Sequence, residues 1–228
     1  MARLPRYTIK NQPQHIIQRS IDKQKIFLED QDYQYYHDCL EAAAFNYNLQ
    51  IHAYVLMPDH THILATPGNV DSVSRTLQSL GRNYVQYYNE CYDQEGTPWE
   101  GRYRATVIDG KDYMLTCSRY IETNPVRAGL TKNPKDYQWS SYAHNAQASD
   151  DEMMTASKEY AKLGSSAKDC ANAYRELFKQ KLSSDVIDTI TELTLHGWAL
   201  GNAKFAQKIE KQCGRRATPL PKGRPKGS

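Results

Sequence analysis

No stretch of about 18 apolar residues occurs in this 228-residue chain, so no segment reads as a membrane-spanning helix. The opening residues 1–6 are followed by no apolar run, which predicts no secretory signal and a cytoplasmic protein. No CxxC pair occurs. The five cysteines (Cys39, Cys91, Cys117, Cys170, Cys213) are odd in number and widely spaced. That spacing argues against a zinc ribbon and a disulfide frame, and predicts reduced thiols. Acidic residues are missing from residues 211–228, which hold six basic ones: Lys211, Arg215, Arg216, Lys222, Arg224 and Lys226. Removing them leaves 23 basic against 26 acidic residues, so a basic tail follows a slightly acidic body. Such a tail adds sequence-independent affinity for phosphate backbones, or is simply solvated.

With 39% hydrophobic residues, the chain has enough apolar material for a folded core. A strand is expected at residues 15–19, after Pro13. Tyr33, Tyr36, Leu40, Ala44 and Tyr47 recur at helical spacing, which predicts a helix over 30–48. Two apolar runs, 49–57 and 60–66, are separated by Pro58-Asp59 and closed by Pro67-Gly68. They read as paired strands joined by a tight turn. A second helix is expected over 70–91, starting near Asp71 or Ser72. A strand follows over 100–108 and a third helix over 111–123, limited by Pro125. The order strand, helix, two strands, helix, strand, helix predicts an α+β, ferredoxin-like antiparallel sheet with helices against it.

Residues 145–168 are polar. Helical periods resume over 171–181, 185–195 and 202–212, with Gly197-Trp198 between the last two. The division expected is a catalytic domain at 1–145, a helical C-terminal appendage at 146–213 and a basic flexible tail at 214–228. The last two helices suit either a small helix-turn-helix-like DNA reader or a packing appendage.

Positions i and i+2 of a strand share a face, so His60 and His62 project together, with Thr61 and Ile63 opposite. The preceding turn puts the pair near a sheet edge or mouth. Two imidazoles so placed can chelate one metal. They equally suit a half-exposed polar strand. Tyr120 and Asn124 lie one helical turn apart on one face. A phenol can attack a phosphodiester, but it ordinarily titrates near 10, so it needs a metal or cation beside it. Asn124 offers a carbonyl oxygen as a third ligand. The plainer alternatives are a packing tyrosine, one of 17, and an ordinary Asn-Pro helix end.

Taken together, Met57-Pro58-Asp59-His60-Thr61-His62-Ile63-Leu64 and Arg119-Tyr120-Ile121-Glu122-Thr123-Asn124-Pro125-Val126-Arg127-Ala128-Gly129-Leu130 resemble the single-tyrosine HUH transposases. Within that group they are similar to the REP-associated tyrosine transposases. The likeness covers roughly residues 10–145. It implies that Tyr120 is the nucleophile and that His60, His62 and Asn124 hold Mg²⁺ or Mn²⁺. It further implies a bacterial, nucleoid-associated protein that cuts and rejoins single-stranded hairpin DNA at REP-like palindromes. The route implied is a covalent 5′-phosphotyrosine, in DNA transposition. Two departures stand out. Thr61 occupies a position the motif gives to a hydrophobic residue. Residues 19–23 (Arg19-Ser20-Ile21-Asp22-Lys23) replace a Gly-Asn-rich turn near the expected DNA foot. Imidazole ligands also favour manganese over magnesium.

For DNA contacts, Arg102 and Arg104 lie on one strand face, with Tyr103 turned to the core. Arginine pairs bidentately with phosphate and guanine. Arg19 and Arg127 are further candidates. Arg119, beside the nucleophile, suits either the scissile phosphate or a salt bridge to Glu122. Lys222-Gly223-Arg224-Pro225-Lys226 resembles an AT-hook core, which reads a narrow minor groove. No protein partner is evident, and both monomer and homodimer are open. The competing reading is a non-catalytic DNA-binding regulator on the same fold. An RNA-binding module lacks its signature here, since no strand carries the paired-aromatic Lys/Arg-Gly-Phe pattern.

Overall fold

The apolar alternation and the two proline-marked turns translate directly into strands. The computed structural model describes residues 6, 7 and 9–219. Its sheet holds β1 (Gln14–Arg19), β2 (Leu49–Met57), β3 (His60–Pro67) and β4 (Arg104–Val107), in the spatial order β2-β3-β1-β4. All three pairings are antiparallel. Helices α1 (Asp30–Asn46) and α2 (Ser72–Tyr92) connect the strands, giving the expected βαββαβ order. The α+β, ferredoxin-like reading of the sequence holds.

The first helix begins with a capping box, in which the Glu29 and Asp32 side chains each accept from the other's backbone N–H. Both helices pack on one face of the sheet. Their core includes Ile16, Tyr36, Leu40, Ile51, Tyr54, Leu56, Ile63, Leu77, Leu80 and Tyr84. Tyr103 joins this core, as its alternation predicts. Thr61 points the same way, 3.3 Å from the Tyr36 hydroxyl. A hydroxyl therefore stands where the HUH motif has a hydrophobic side chain, and it finds a polar neighbour.

A bulge in β2 between Ile51 and Ala53 switches the pleat, so Ile51 and Ala53 face opposite sides despite their i,i+2 spacing. Ala53, Val55 and Met57 then line the second face with Leu64. That face is covered by α3 (Gly110–Glu122) and α8 (Ser184–His196), and their Met114, Cys117, Tyr120, Ile121 and Ile190 complete a second core. The helix expected over 111–123 ends at Glu122. A single turn, α4 (Asn124–Arg127), follows with Pro125 at its start, where a missing N–H costs nothing.

The C-terminal half contributes α5 (Tyr142–Gln147), α6 (Lys158–Ala161), α7 (Ala167–Glu176), α8 and α9 (Ala203–Cys213). The polar stretch 145–168 thus holds α6 and the end of α5, short helices that periodicity does not reveal. Residues 146–213 do not stand apart from the sheet. Leu200 pairs with Ile108 beyond the end of β4, and the Leu200 N–H donates to Val107 O at 2.9 Å. At the opposite edge, β2 is bonded by Trp139, Ser141 and Thr155. The Gly197-Trp198 turn packs against β4, where Trp198 O accepts from Thr106 Oγ1 at 2.8 Å. Among the described residues, no helix is long and apolar enough to cross a membrane. Lys222, Arg224 and Lys226 lie outside the described residues.

Candidate active site

Cross-strand register decides which residues share a face. His60 pairs with Arg19 and Met57, His62 pairs with Ile17 and Val55, and Ile17 pairs in turn with Arg104. His60, His62, Arg19 and Arg104 therefore lie on one face, the one beneath α3 and α8. The strand carrying the histidines is internal, not an edge. Its start, at the Pro58-Asp59 turn, forms the mouth of the site.

The two imidazoles sit with ring centroids 5.1 Å apart. Each has its Nδ1 engaged. His60 Nδ1 meets Asp59 Oδ1 at 2.6 Å, and His62 Nδ1 meets His15 Nε2 at 2.8 Å. The Asn124 amide lies against the remaining nitrogen of His60, with Nδ2 3.2 Å from Nε2. An amide that donates there finds a lone pair on Nε2, which fits a His60 proton held on Nδ1 by Asp59. Half a turn of the Asn124 amide presents its oxygen in place of its nitrogen. Burial keeps His62 well below the ordinary histidine range, with the nearby cationic forms of His15 and His60 acting the same way. Desolvation lowers His15 to about 3, with Arg127 adding to the effect. Both are neutral imidazoles at physiological pH, the form in which histidine binds a metal.

Among the described residues, no cluster of three His, Cys, Asp or Glu side chains is placed to hold a metal. The donor set available here is two imidazoles and an amide. It fits a divalent ion because both Nδ1 atoms are held by neighbours and the third ligand is at hand. Acceptors behind metal-binding imidazoles are the usual way of aiming their outer nitrogens.

Tyr120 descends from α3 over this face. Its ring lies 5.9 Å from His62 and 5.7 Å from His15, both edge to face. The Arg127 guanidinium stands 4.2 Å from the Tyr120 ring centre and donates to the Tyr120 carbonyl at 2.7 Å. The phenol meets Thr191 Oγ1 of α8 at 2.9 Å. Thr191 already gives its own proton to Ile187 O at 2.7 Å, so it accepts from Tyr120.

The arginines divide. Arg19 is exposed on the site face. With Arg102, Arg104, Glu100, Gly101 and Ile17 it borders a pocket of about 110 Å³. Gly101 adopts φ +131°, a glycine conformation that lets the loop turn Arg102 toward that pocket. Arg104 donates to Leu195 O at 3.0 Å and lies 3.7 Å from Glu100. Arg119 reaches away from Tyr120 and donates to Gln180 O. A salt bridge to Glu122 is one of the two roles its sequence position suits, but that carboxylate is buried elsewhere. It accepts from Ser141 Oγ (2.6 Å), Asn145 Nδ2 (2.8 Å) and Tyr174 OH (2.8 Å).

His15, Asp59, Thr191 and Thr194 all touch the site and escape sequence reasoning. His15 alone carried a signal. A histidine in an apolar strand, on the parity of Ile17 and Arg19, faces the same side once β1 and β3 are paired.

A ferredoxin-like sheet with two histidines and a helix-borne tyrosine on one face defines a class of tyrosine-bearing α+β proteins. Within it, the chain belongs to the family described as Transposase IS200 like, whose model matches residues 8–124. That match takes in the histidine pair, Tyr120 and Asn124. The fold is also that of a REP-associated tyrosine transposase solved bound to a REP hairpin. The TM-score is 0.53 at 21% identity, covering 70% of this chain and 93% of that one. A Deinococcus radiodurans R1 chain described as a transposase aligns at TM-score 0.37 and 21% identity, over 54% of this chain and 97% of its own. No curated protein matches the chain in sequence.

Proposed function

We propose that this IS200-like transposase cuts and rejoins single-stranded DNA at hairpin-forming, REP-like palindromes, with Tyr120 as nucleophile. One observation carries the reading: Tyr120, His60 and His62 converge on one sheet face, with Arg127 against the phenol ring. The Tyr120 oxygen forms a bond to phosphorus as the bond from phosphorus to the 3′ oxygen breaks. The proton given up by the phenol balances the one taken by the 3′ oxygen. The product is a 5′-phosphotyrosine, and attack by another 3′ hydroxyl reverses the step and rejoins the strand. Arg127 offsets the charge that develops beside the ring. His60, His62 and Asn124 would hold Mg²⁺ or Mn²⁺, which when bound supplies Lewis-acid polarisation of the scissile phosphate. Hairpin DNA as substrate agrees with the REP hairpin bound by the transposase of like fold. The test is a labelled single-stranded hairpin incubated with Mn²⁺ or Mg²⁺. A covalent protein–DNA band on a denaturing gel is expected.

The second reading, a DNA-binding regulator without catalysis, is favoured by the burial of Tyr120 beneath α8, at 6% exposure. On the catalytic reading that burial is a resting state held partly by Thr191. Thr191→Val is then expected to speed adduct formation by about fivefold, the worth of one hydrogen bond of about 1 kcal/mol. An unchanged or slower rate discards the resting-state interpretation.

For DNA contacts we propose Arg19 and Arg102 first, with Arg104, Arg119, Arg127 and the tail residues Lys222, Arg224 and Lys226 as further phosphate ligands. Arg19→Ala is expected to lower the slope of log affinity against log salt by about one. Arg104→Ala should lower it less, because Leu195 O holds that guanidinium. Equal slopes for wild type and Arg19→Ala would remove Arg19 from the interface.

A further inference from the structure

His15 is fully buried, at 0% exposure, and lies edge to edge with His62, with centroids 5.0 Å apart and planes 21° off parallel. Its two nitrogens are both engaged. Nε2 lies 2.8 Å from His62 Nδ1, and Nδ1 lies 2.9 Å from Thr194 Oγ1. Thr194 belongs to α8, one turn beyond Thr191, and is itself buried. A line of hydrogen bonds thus runs from His62 on β3, through His15 on β1, to a helix 132 residues further along than His62.

Protons can be arranged along this line in two ways. In one, His62 carries its proton on Nε2, which then has no lone pair for a ligand. In the other, His62 donates from Nδ1 to His15 Nε2, and His15 donates from Nδ1 to Thr194 Oγ1. Every donor then has an acceptor, and His62 Nε2 presents a lone pair toward the site. The second arrangement needs an acceptor at His15 Nε2 and another at Thr194. His60 obtains the same result from a single carboxylate, Asp59. His62 lies too deep for a solvated acid and uses a neutral relay instead.

We propose that His15, backed by Thr194 of α8, is the positioning residue that holds His62 in its metal-binding tautomer, so that the C-terminal helix completes the metal site. This rests on the reading of His60 and His62 as metal ligands. The relay explains why a segment beyond the family-matched residues 8–124 sends a buried hydroxyl into the sheet. An outer-shell partner of a metal-bound histidine typically changes affinity by about 10- to 100-fold.

The experiment measures Mn²⁺ binding to the full-length protein by electron paramagnetic resonance of the free ion, with no DNA present. Four variants are compared: His15→Leu, His15→Gln, Thr194→Val and His62→Ala. His15→Leu removes the acceptor and should weaken Mn²⁺ binding by about 10- to 100-fold. His15→Gln can place Oε1 near the lost Nε2 and should recover most of that loss. Thr194→Val keeps the shape, removes the far acceptor and should weaken binding by several fold. Hairpin affinity in EDTA and thermal melting separate these effects from general damage. If His15→Leu does not fold, Thr194→Val decides alone. Wild-type Mn²⁺ affinity in His15→Leu or Thr194→Val, with binding lost in His62→Ala, overturns the relay and leaves the metal reading intact. So does a glutamine variant as weak as the leucine one. A wild-type protein that binds no Mn²⁺, or a His62→Ala variant that binds it normally, overturns both.

Discussion

Tyr120→Phe is expected to abolish the covalent protein–DNA adduct while leaving hairpin affinity within about twofold of wild type. The substitution removes one oxygen and little else. The ring keeps its edge contacts with His15 and His62 and remains under the Arg127 guanidinium. Thr191 loses a donor but still gives its proton to Ile187 O, so no buried hydroxyl is stranded. The stability cost is at most that of one hydrogen bond, about 1 kcal/mol. Chemistry is another matter. A phosphotyrosine cannot form without the phenol oxygen, and among the described residues Tyr120 is the tyrosine whose ring meets His62, while Tyr113 and Tyr137 pack elsewhere against this second core. Cleavage should fall by at least about 1000-fold, equivalent to about 4 kcal/mol at 1.4 kcal/mol per decade. The measurement is adduct yield on a denaturing gel beside an equilibrium binding curve. An adduct that persists in Tyr120→Phe would falsify the nucleophile assignment. Loss of both adduct and binding would point to a folding defect, which thermal melting detects.

The outline of the fold was readable because its signals are local. Proline-marked turns at 58–59 and 67–68 bracket β3, and strand alternation fixes which of its side chains share a face. The same rule placed His60 and His62 together, and put Tyr103 in the core apart from Arg102 and Arg104. What stayed hidden depends on docking. His15 gains its meaning from residues 47 and 179 positions away. Thr191 and Thr194 are ordinary helix residues until α8 settles on the sheet. Asp59 reads as a turn former, and only the folded turn sets it against His60. The bulge at Ile51/Ala53 reverses the pleat without any glycine to mark it. Glu122 is the plainest misreading. Its nearest sequence partner, Arg119, suggests a surface pair, whereas its donors come from positions 141, 145 and 174.

That buried carboxyl gives the largest expected effect on stability. Burial raises Glu122 to about 7, from an ordinary 4.5, and the three donors from Ser141, Asn145 and Tyr174 only partly offset the cost of desolvation. The folded protein therefore holds this proton more tightly than the unfolded chain, so protonation favours folding. The contribution is fully present below about pH 4.5 and is lost as pH rises through about 7. A shift of that size is worth roughly 3 kcal/mol as an upper estimate, at 1.36 kcal/mol per unit. Urea unfolding of the wild type should therefore show stability falling across that window by up to this amount, beyond the trend set by surface carboxylates. Glu122→Gln keeps an acceptor for Ser141 and Asn145, and removes the titration. Its stability curve should be flatter than wild type between pH 4.5 and 7, and the two should converge or cross above pH 7. Glu122→Ala leaves Asn145 and Tyr174 donors facing a dry cavity. It should cost about 3 kcal/mol or more, near 10 °C in melting temperature for a chain of this size. The network joins the end of α3 to α5 and α7, two residues from both Tyr120 and Asn124. Glu122→Ala should thus lower adduct yield along with stability, while Glu122→Gln retains it. Parallel pH profiles for wild type and Glu122→Gln would show that the carboxyl is solvated in the folded protein, and that α3 is anchored by its apolar face alone.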